Sequence, residues 1–148
     1  MLSWHLKKFE ELSIGELYPI LRLRSQVFVV EQDCVYQDLD DKDYKALHLF
    51  AKEEGKVVAY TRLFKAGDYF DQASIGRVVV DADFRKQKLG HELMRKSIDA
   101  IQTQFNTHKI KISAQRYLKN FYEAHGFVQI GESYLEDGIP HIAMLKET

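Results

Sequence analysis

The 148-residue chain has little of several features that mark particular classes of protein. Cys34 is its one cysteine, so no internal disulfide framework can form, and a lone thiol suits a reducing compartment. Only two prolines and no low-complexity tract occur, which leaves no candidate linker between domains. The formal net charge of −1 provides no basic field for nucleic acid or an anionic membrane.

Long apolar runs are absent too. No segment approaches the ~20 apolar residues of a membrane-spanning helix, and the N-terminus has no apolar core of signal-peptide length. What is present, 45% apolar and 29% charged residues, is typical of a globular protein large enough for a normal core. We therefore expect a single domain over residues 1–148, located in the cytoplasm.

Hydrophobic periodicity predicts an α/β (α+β) layer fold with a mixed sheet. Ser13, with Glu16 three residues later, is typical of a helix start, and Gly126 of a left-handed helix end. The acidic segment 33–46 reads as a loop. Strands are predicted at 2–8, 47–52, 56–65, 73–80, 109–114, 127–134 and 139–145, and helices at 13–31, 89–105 and 116–125. In the first helix, one shared face is expected for Leu17, Leu21, Arg24 and Phe28.

The stretch from Ile75 to Gly90 carries the most chemical information. A β-branched strand breaks into a basic turn and then into a strongly amphipathic helix. The free N–H groups and dipole of a helix start favour an anion such as phosphate. The glycine patterns of a Walker loop and of a dinucleotide fold are both absent. By itself, one glycine flanked by cations fits an ordinary helix start with solvated lysines equally well.

A second motif, Tyr122-Glu123-Ala124-His125-Gly126-Phe127, lies one predicted strand further on. Together with Arg85-Lys86-Gln87-Lys88-Leu89-Gly90 it resembles the GNAT superfamily of N-acetyltransferases, whose members have an R-x-x-G-x-G/A loop, a long helix, a strand, and a short helix ending in Y-x-x-x-G-F. The strings at residues 28–32, 36–38 and 136–141 are similar to the ElaA-like branch. The resemblance implies a mostly antiparallel central sheet of about seven strands flanked by about four helices.

The resemblance also implies acetyl-CoA as the cofactor, its diphosphate on the basic loop and its pantetheine along the preceding strand. The cofactor-binding residues carried over in this way are Val78, Val79, Val80, Arg85, Lys86, Gln87, Lys88, Leu89, Gly90, Gln115 and Asn120. Lys88 departs from the pattern, because most of the superfamily has a glycine there that lets the backbone approach the diphosphate. Its ammonium is either an added phosphate ligand or a spectator.

For catalysis, the resemblance makes Tyr122 the group that protonates the leaving thiolate and a backbone N–H near Val78 the stabiliser of the oxyanion. The helical pattern alone favours Tyr122 as a core aromatic, and the match to the motif reverses that preference. The base that deprotonates the amine is not identified: Glu31, His141 and His48 are candidates, and a water chain is an alternative.

The acceptor site is predicted at Tyr36 and Gln37, within the acidic segment, and at Arg62, Arg77 and Asp137. If the acidic segment lines the pocket, it favours a cationic amine; otherwise it is a solvated loop. Arg62 and Arg77 either clamp a substrate carboxylate or pair with Glu31, Asp38 or Asp137 as structural groups. The histidines are not at zinc-site spacings with Cys34, so no metal is expected.

The predicted function is therefore direct transfer of an acetyl group from acetyl-CoA to a primary amine of a small molecule or peptide, in a ternary complex. The alternatives are a non-catalytic acyl-CoA-binding sensor and an enzyme of the same fold that uses a longer acyl chain or an alcohol acceptor. We expect a monomer or homodimer with no nucleic-acid or membrane partner.

Overall fold

The computed structural model describes residues 1–148, apart from the side chain of Gln87. The strands are β1 Leu2–Lys8, β2 Leu47–Glu53, β3 Lys56–Phe64, β4 Ser74–Val80, β5 Ile110–Gln115, β6 Val128–Glu136 and β7 Ile139–Lys146, and the helices are α1 Ile14–Arg24, α2 Leu89–Phe105 and α3 Lys119–Glu123. Every predicted strand is confirmed to within two residues at each end. Among the described residues, no helix has the length and apolar character needed to cross a membrane.

The strands form two antiparallel sheets, with the orders β1-β2-β3-β4 and β5-β7-β6. A parallel bridge between Ala73 and Ile110 joins them, and the Lys111 N–H donates to the Ala73 carbonyl at 2.8 Å. Beyond this point β4 and β5 diverge, and no described strand pairs with the second edge of β4. The mixed, mostly antiparallel α/β arrangement agrees with the predicted fold class.

Helices α1 and α2 cover opposite faces of the first sheet. The predicted periodicity of α2 is confirmed, since Leu93, Met94 and Ile101 are buried in the larger core. Of the residues predicted to share a face of α1, Arg24 is buried and Leu17, Leu21 and Phe28 are partly covered, while Ile20 and Leu23 are the buried apolar residues of the helix. The burial of Arg24 is accommodated by its ion pairs with Asp38 and Asp43.

The first helix begins as predicted but does not stay α-helical. Ser13 Oγ accepts from the Glu16 N–H at 3.1 Å and the Glu16 carboxylate accepts from the Ser13 N–H at 2.9 Å, which confirms the capping box. From Ser25 to Glu31 the chain is a π-helix, and the Gln32 N–H still donates to the carbonyl five residues back at 3.2 Å. Such wide turns are frequent at functional sites.

Strand β4 contains a bulge. Tyr60 pairs with Val79 but Arg62 pairs with Gly76, so the single residue between them on β3 faces two residues on β4. One of the two is Arg77, whose φ of 51° lies in the left-handed region. The extra residue shifts the alternation of side chains along the strand. As a result, Ile75 and Val78 contact the core beneath α2, while Val79 packs with α1.

Candidate active site

A cavity of about 480 Å³ lies where β4 and β5 diverge, and we call it the β4–β5 groove. Its walls include β4 from Ile75 to Val80, the end of β5, the π-helical segment Ser25–Glu31, Gly90 of α2, and Phe121 and Tyr122 of α3. This volume falls in the range of ~300–1,000 Å³ that small-molecule sites occupy. The groove is therefore large enough for part of an organic ligand.

The unpaired edge of β4 forms one wall of the groove. The predicted donor-binding residues Val78, Val79 and Val80 all line it. An open strand edge presents N–H and C=O groups to which an extended ligand can add as a further strand. One of these groups is engaged, because Arg85 Nε donates to the Val80 carbonyl at 3.1 Å.

The basic loop is more ordered than a plain turn. Residues Ala82–Gln87 form a 3₁₀ helix, and Lys88 turns the chain into α2 with φ 56° and ψ 23°. No Lys88 side-chain hydrogen bond caps the helix. The first N–H groups of an α-helix have no intrahelical partner, so the start of this 17-residue helix provides donors for an anion.

The predicted loop residues are placed differently from one another. Arg85 and Gly90 line the groove, whereas Lys86 and Lys88 are exposed outside its walls. Leu89 is buried in the core. The prediction for Gln87 falls on a side chain outside the described residues.

Arg85 is not a free cation. Its Nη1 and Nη2 donate to the two carboxylate oxygens of Glu31 at 2.6 and 3.0 Å. These hydrogen bonds raise the pKa of Arg85, so the guanidinium stays charged. The fork geometry with which Arg85 binds this carboxylate is the one that suits a phosphate.

Helix α3 is fixed at both ends. The Phe121 ring of α3 packs beside Gly90 at the start of α2, where a Cβ would lie at an ordinary van der Waals distance of 3.5 Å. After α3, Gly126 has the predicted left-handed conformation with φ 91°, and the His125 N–H donates to the Tyr122 carbonyl at 2.9 Å. These contacts hold the side chain of Tyr122 in place.

Tyr122 is 5% exposed and also lines the groove. Among the hydrogen bonds of the described residues, none involves its hydroxyl. Burial raises the pKa of Tyr122 above its usual value, with a smaller contribution from Tyr117. The phenol is thus protonated at neutral pH and can donate a proton or hydrogen bond into the groove.

The three candidate bases differ in their surroundings. Glu31 lines the groove but is held by Arg85, and His141 lines it with Nδ1 donating to the Ile139 carbonyl at 2.7 Å. His48 lies outside the groove: it is buried between the Tyr60 hydroxyl and the Asp43 carbonyl. Burial lowers the pKa of His48, so it is a neutral structural group rather than a base. Among the described residues, no three potential metal-ligating side chains are grouped together.

Three carboxylates of the acidic loop, those of Asp38, Asp40 and Asp43, form ion pairs with arginines. Asp43 accepts from Arg24 at 2.8 Å and from Arg62 at 3.0 Å, and Asp40 accepts from Arg62 at 2.6 Å. Arg62 is 1% exposed and is absent from the groove walls. The predicted carboxylate clamp is therefore wrong for Arg62, because its guanidinium is consumed by internal ion pairs.

Arg77 lines the groove, but its side chain is also paired. Its Nε donates to Asp38 Oδ1 at 2.7 Å, which is the structural alternative considered for this residue. Two other predicted acceptor residues, Tyr36 and Asp137, line the groove as well, whereas Gln37 is exposed outside it. The Cys34 thiol donates to the Asp137 carbonyl at 3.4 Å and so joins the loop to the β6–β7 turn.

Sequence reasoning missed a contact across the groove. The side-chain amides of Gln32 and Gln115 exchange two hydrogen bonds, at 3.1 and 3.2 Å, between the end of the π-helical segment and the end of β5. Gln115 was predicted as a cofactor ligand, but no local signal relates it to a residue 83 positions earlier. Asn120, predicted with it, is exposed on α3 and lies outside the groove walls.

Known proteins are similar to this chain in both sequence and fold. Residues 13–148 match the family model for the acetyltransferase (GNAT) domain. The protein ElaA of Escherichia coli K12 is 40% identical over 149 residues, covering 99% of this chain and 97% of the relative. An acyl-CoA N-acyltransferase from Pseudomonas aeruginosa superposes with a TM-score of 0.94 at 41% identity, over 99% of both chains. The crystal structure of Escherichia coli ElaA gives a TM-score of 0.92 at 39% identity, over 99% and 100% of the two chains. The chain therefore belongs to the GNAT acetyltransferase family, is similar to ElaA within it, and is an acyltransferase.

Proposed function

We propose that this acyltransferase moves an acetyl group from acetyl-CoA to a primary amine of a small molecule or peptide, by direct transfer in a ternary complex. The observation that carries the proposal is the groove itself. An unpaired strand edge leads to a helix start that no Lys88 side-chain hydrogen bond caps, and a buried, protonated tyrosine stands beside them. A long ligand with amides at one end and phosphates at the other fits this order of groups.

Acetyl-CoA supplies a thioester, whose carbonyl carbon is open to attack by an amine. The backbone at Val78–Val80 would bind the amide-bearing arm, and the start of α2 with Arg85 would bind the phosphates. Lys86, Lys88 and Asn120 are exposed near these elements, and we assign them at most a peripheral part in binding. Gln115 stands at the groove wall but is engaged by Gln32.

Tyr122 would act as the proton donor. Its raised pKa keeps the phenol protonated, and its hydroxyl has no competing partner among the described residues. A backbone N–H at Val78 would donate to the carbonyl oxygen as its charge grows, a contribution often worth about 3 kcal/mol. Both groups are held by packing, so little reorganisation is needed when the substrates are bound.

The acceptor amine would enter from the side of Tyr36 and Asp137. A free alkylamine has a pKa of about 10.4, so it must lose a proton before it attacks. His141 and Glu31 line the groove and are the two side chains we propose for this step. Glu31 can accept a proton only after Arg85 has left it to bind another anion. His141 does not bind Arg85, and its Nε2 lies 3.5 Å from the Glu136 carboxylate.

The cellular setting is part of the same proposal. We propose that the chain acts in the cytoplasm as one domain and as a monomer or homodimer. The single cysteine is buried and unpaired, which suits a reducing compartment. The carboxylates at the acceptor end, Glu136 and Asp137, favour a cationic amine over an anionic one.

Ligand-dependent thermal stability tests the donor. We expect millimolar acetyl-CoA to raise the melting temperature, since a ligand that binds only the folded state stabilises it. A screen of amines and peptides, read by release of free CoA thiol, then identifies the acceptor. Absence of any shift would contradict the acetyl-CoA assignment, and binding without turnover across the screen would favour an acyl-CoA sensor.

The substitution Tyr122→Phe tests the proton donor. We expect kcat to fall by about 100-fold, the scale of general acid catalysis, with an unchanged Kd for acetyl-CoA. Tyr18→Phe, on an exposed side chain of α1 outside the groove, is the matched control. Unchanged turnover in Tyr122→Phe would assign this residue to packing alone.

A further inference from the structure

The backbone of Arg77 is in an unusual conformation for its residue type. Its φ of 51° lies in the left-handed region, where a Cβ approaches the following carbonyl oxygen. It occupies the first position of a β-bulge of the kind in which that position is normally glycine. A residue other than glycine keeps this conformation only when its surroundings hold it there.

Asp38 fixes the side chain of Arg77 by two hydrogen bonds. Its Oδ1 accepts from Arg77 Nε at 2.7 Å and its carbonyl accepts from Arg77 Nη2 at 3.0 Å. The ring of Tyr36 lies 5.8 Å from the Arg77 guanidinium carbon, and Asp40 Oδ2 lies 3.4 Å from Nη2. The Arg77 side chain is thus fixed from several directions by the acidic loop.

Asp38 is itself anchored away from β4. Its Oδ2 accepts from Arg24 Nε at 2.9 Å, and its Oδ1 also accepts from the Tyr36 hydroxyl at 3.1 Å. Arg24 belongs to α1 and is fully buried. The strained residue of β4 is therefore tied, through one carboxylate, to a helix on one face of the sheet.

The bulge sets the orientation of the next residues in the strand. Because one residue is inserted at Arg77, Val78 lies on the side of the larger core while Val79 packs against α1. A strand without the bulge would exchange these faces. The left-handed angle at Arg77 thus sets the direction of the Val78 peptide in the groove wall.

We infer that Asp38 is a positioning residue that acts through Arg77 to hold the β4 bulge, and thereby aligns the Val78 backbone with the acyl group of the donor. The inference rests on the proposed function, because it needs an acyl thioester beside Val78. It gives the acidic loop a role that is neither capture of a cationic substrate nor mere solvation.

The test compares Arg77→Ala with Arg77→Gly. Both remove the side chain, but only glycine adopts a positive φ without a steric cost. The readout is the ratio of the Kd for CoA to the Kd for acetyl-CoA, measured by calorimetry, since only acetyl-CoA has the carbonyl that the bulge would align. We expect Arg77→Ala to lower this ratio about fivefold and Arg77→Gly to restore it to within about twofold of the wild type.

A second readout does not depend on affinity. In protein with ¹⁵N-labelled valine, acetyl-CoA should shift the Val78 amide resonance relative to CoA in the wild type and in Arg77→Gly, but not in Arg77→Ala. If Arg77→Ala fails to fold, Arg77→Asn takes its place, since asparagine tolerates the left-handed region better than other side chains do. We expect Arg77→Asn to give a lower ratio than Arg77→Gly.

Asp38→Asn completes the design. We expect it to lower the ratio in the wild-type background but not in Arg77→Gly, where the angle no longer needs the side chain. Asp43→Asn is the matched control: Asp43 binds Arg24 and Arg62 in the same network but does not bind Arg77, so the melting temperature should fall with the ratio unchanged.

The outcomes separate the two proposals. If the wild type binds neither ligand, both the proposed function and this inference fail. If it binds both, and alanine and glycine at position 77 give the same ratio, or the wild type shows no preference for acetyl-CoA, the inference is overturned while the donor assignment stands.

Discussion

At the scale of a residue, the backbone angle of Lys88 determines the shape of the loop before α2. It stands where most of the superfamily has a loop glycine, and it adopts the left-handed conformation that glycine adopts easily, with φ 56°. The backbone geometry of the phosphate loop is therefore kept although the residue has changed. The Lys88 ammonium is exposed outside the groove walls. The measurable consequence of having lysine rather than glycine here is therefore the backbone strain of the left-handed conformation.

We expect Lys88→Gly to be more stable than Lys88→Ala by about 1 kcal/mol in urea denaturation, because alanine keeps the left-handed strain and glycine removes it. Lys86, two residues earlier in the 3₁₀ helix, is not among the residues with positive φ. The matched pair Lys86→Gly and Lys86→Ala should therefore show the opposite order. Equal stabilities of the two Lys88 variants would contradict this account.

At the scale of an element, the π-helical segment Ser25–Glu31 spans the groove. Its last residue, Glu31, binds Arg85 on the basic loop, and the next, Gln32, binds Gln115 on β5. A continued α-helix would carry these neighbouring side chains in other directions. The predicted helix over residues 13–31 was right in extent, and only the wider last turns were missed, because their hydrogen bonds depend on what the segment packs against.

We expect Glu31→Gln to tighten CoA binding about threefold, since Arg85 then needs no exchange of partner to meet a phosphate. The effect is small because the pair is partly exposed and such pairs contribute little. Arg85→Ala should weaken binding about tenfold, and Glu10→Gln, on the exposed turn before α1, serves as control. Calorimetry measures all four proteins, and weaker binding in Glu31→Gln would contradict the competition between Glu31 and phosphate.

At the scale of the whole molecule, buried polar groups tie the loop, α1 and the first sheet together. Arg24, Arg62 and Arg77 meet Asp38, Asp40 and Asp43 beside His48. A carbonyl only accepts, so His48 donates from Nε2 to Asp43 and accepts at Nδ1 from the Tyr60 hydroxyl at 2.6 Å. This arrangement requires a neutral ring, in agreement with its lowered pKa.

We therefore expect the free energy of unfolding to fall as pH decreases from 7.5 to 5. The unfolded chain takes up a proton near pH 6.5, whereas folded His48 takes one up only at lower pH, so the unfolded state gains stability in between, by at most about 1.4 kcal/mol per pH unit. His48→Gln should reduce the slope and exposed His108→Gln should not. In His48→Gln the free energy of unfolding should still fall somewhat with decreasing pH, because burial also lowers the pKa of His5 and of His125.

The sequence by itself determined the features that depend on neighbouring residues. The capping box at Ser13, the amphipathic α2 and the left-handed Gly126 all follow from local chemistry, and the structure contains each of them. Local signals and hydrophobic periodicity were sufficient to predict the strands and the fold class, and the resemblance of two motifs to the GNAT superfamily predicted the family.

Only the tertiary structure decided how distant groups pair. Residues 38, 24 and 77 meet because α1 and β4 lie on either side of one loop, and no pattern in the chain states which aspartate takes which arginine. The same holds for the burial of Arg24, the isolation of His48 and the contact between Gln32 and Gln115. Hydrogen bonds and ion pairs act over a few ångströms, so their partners are settled only when packing brings whole elements together.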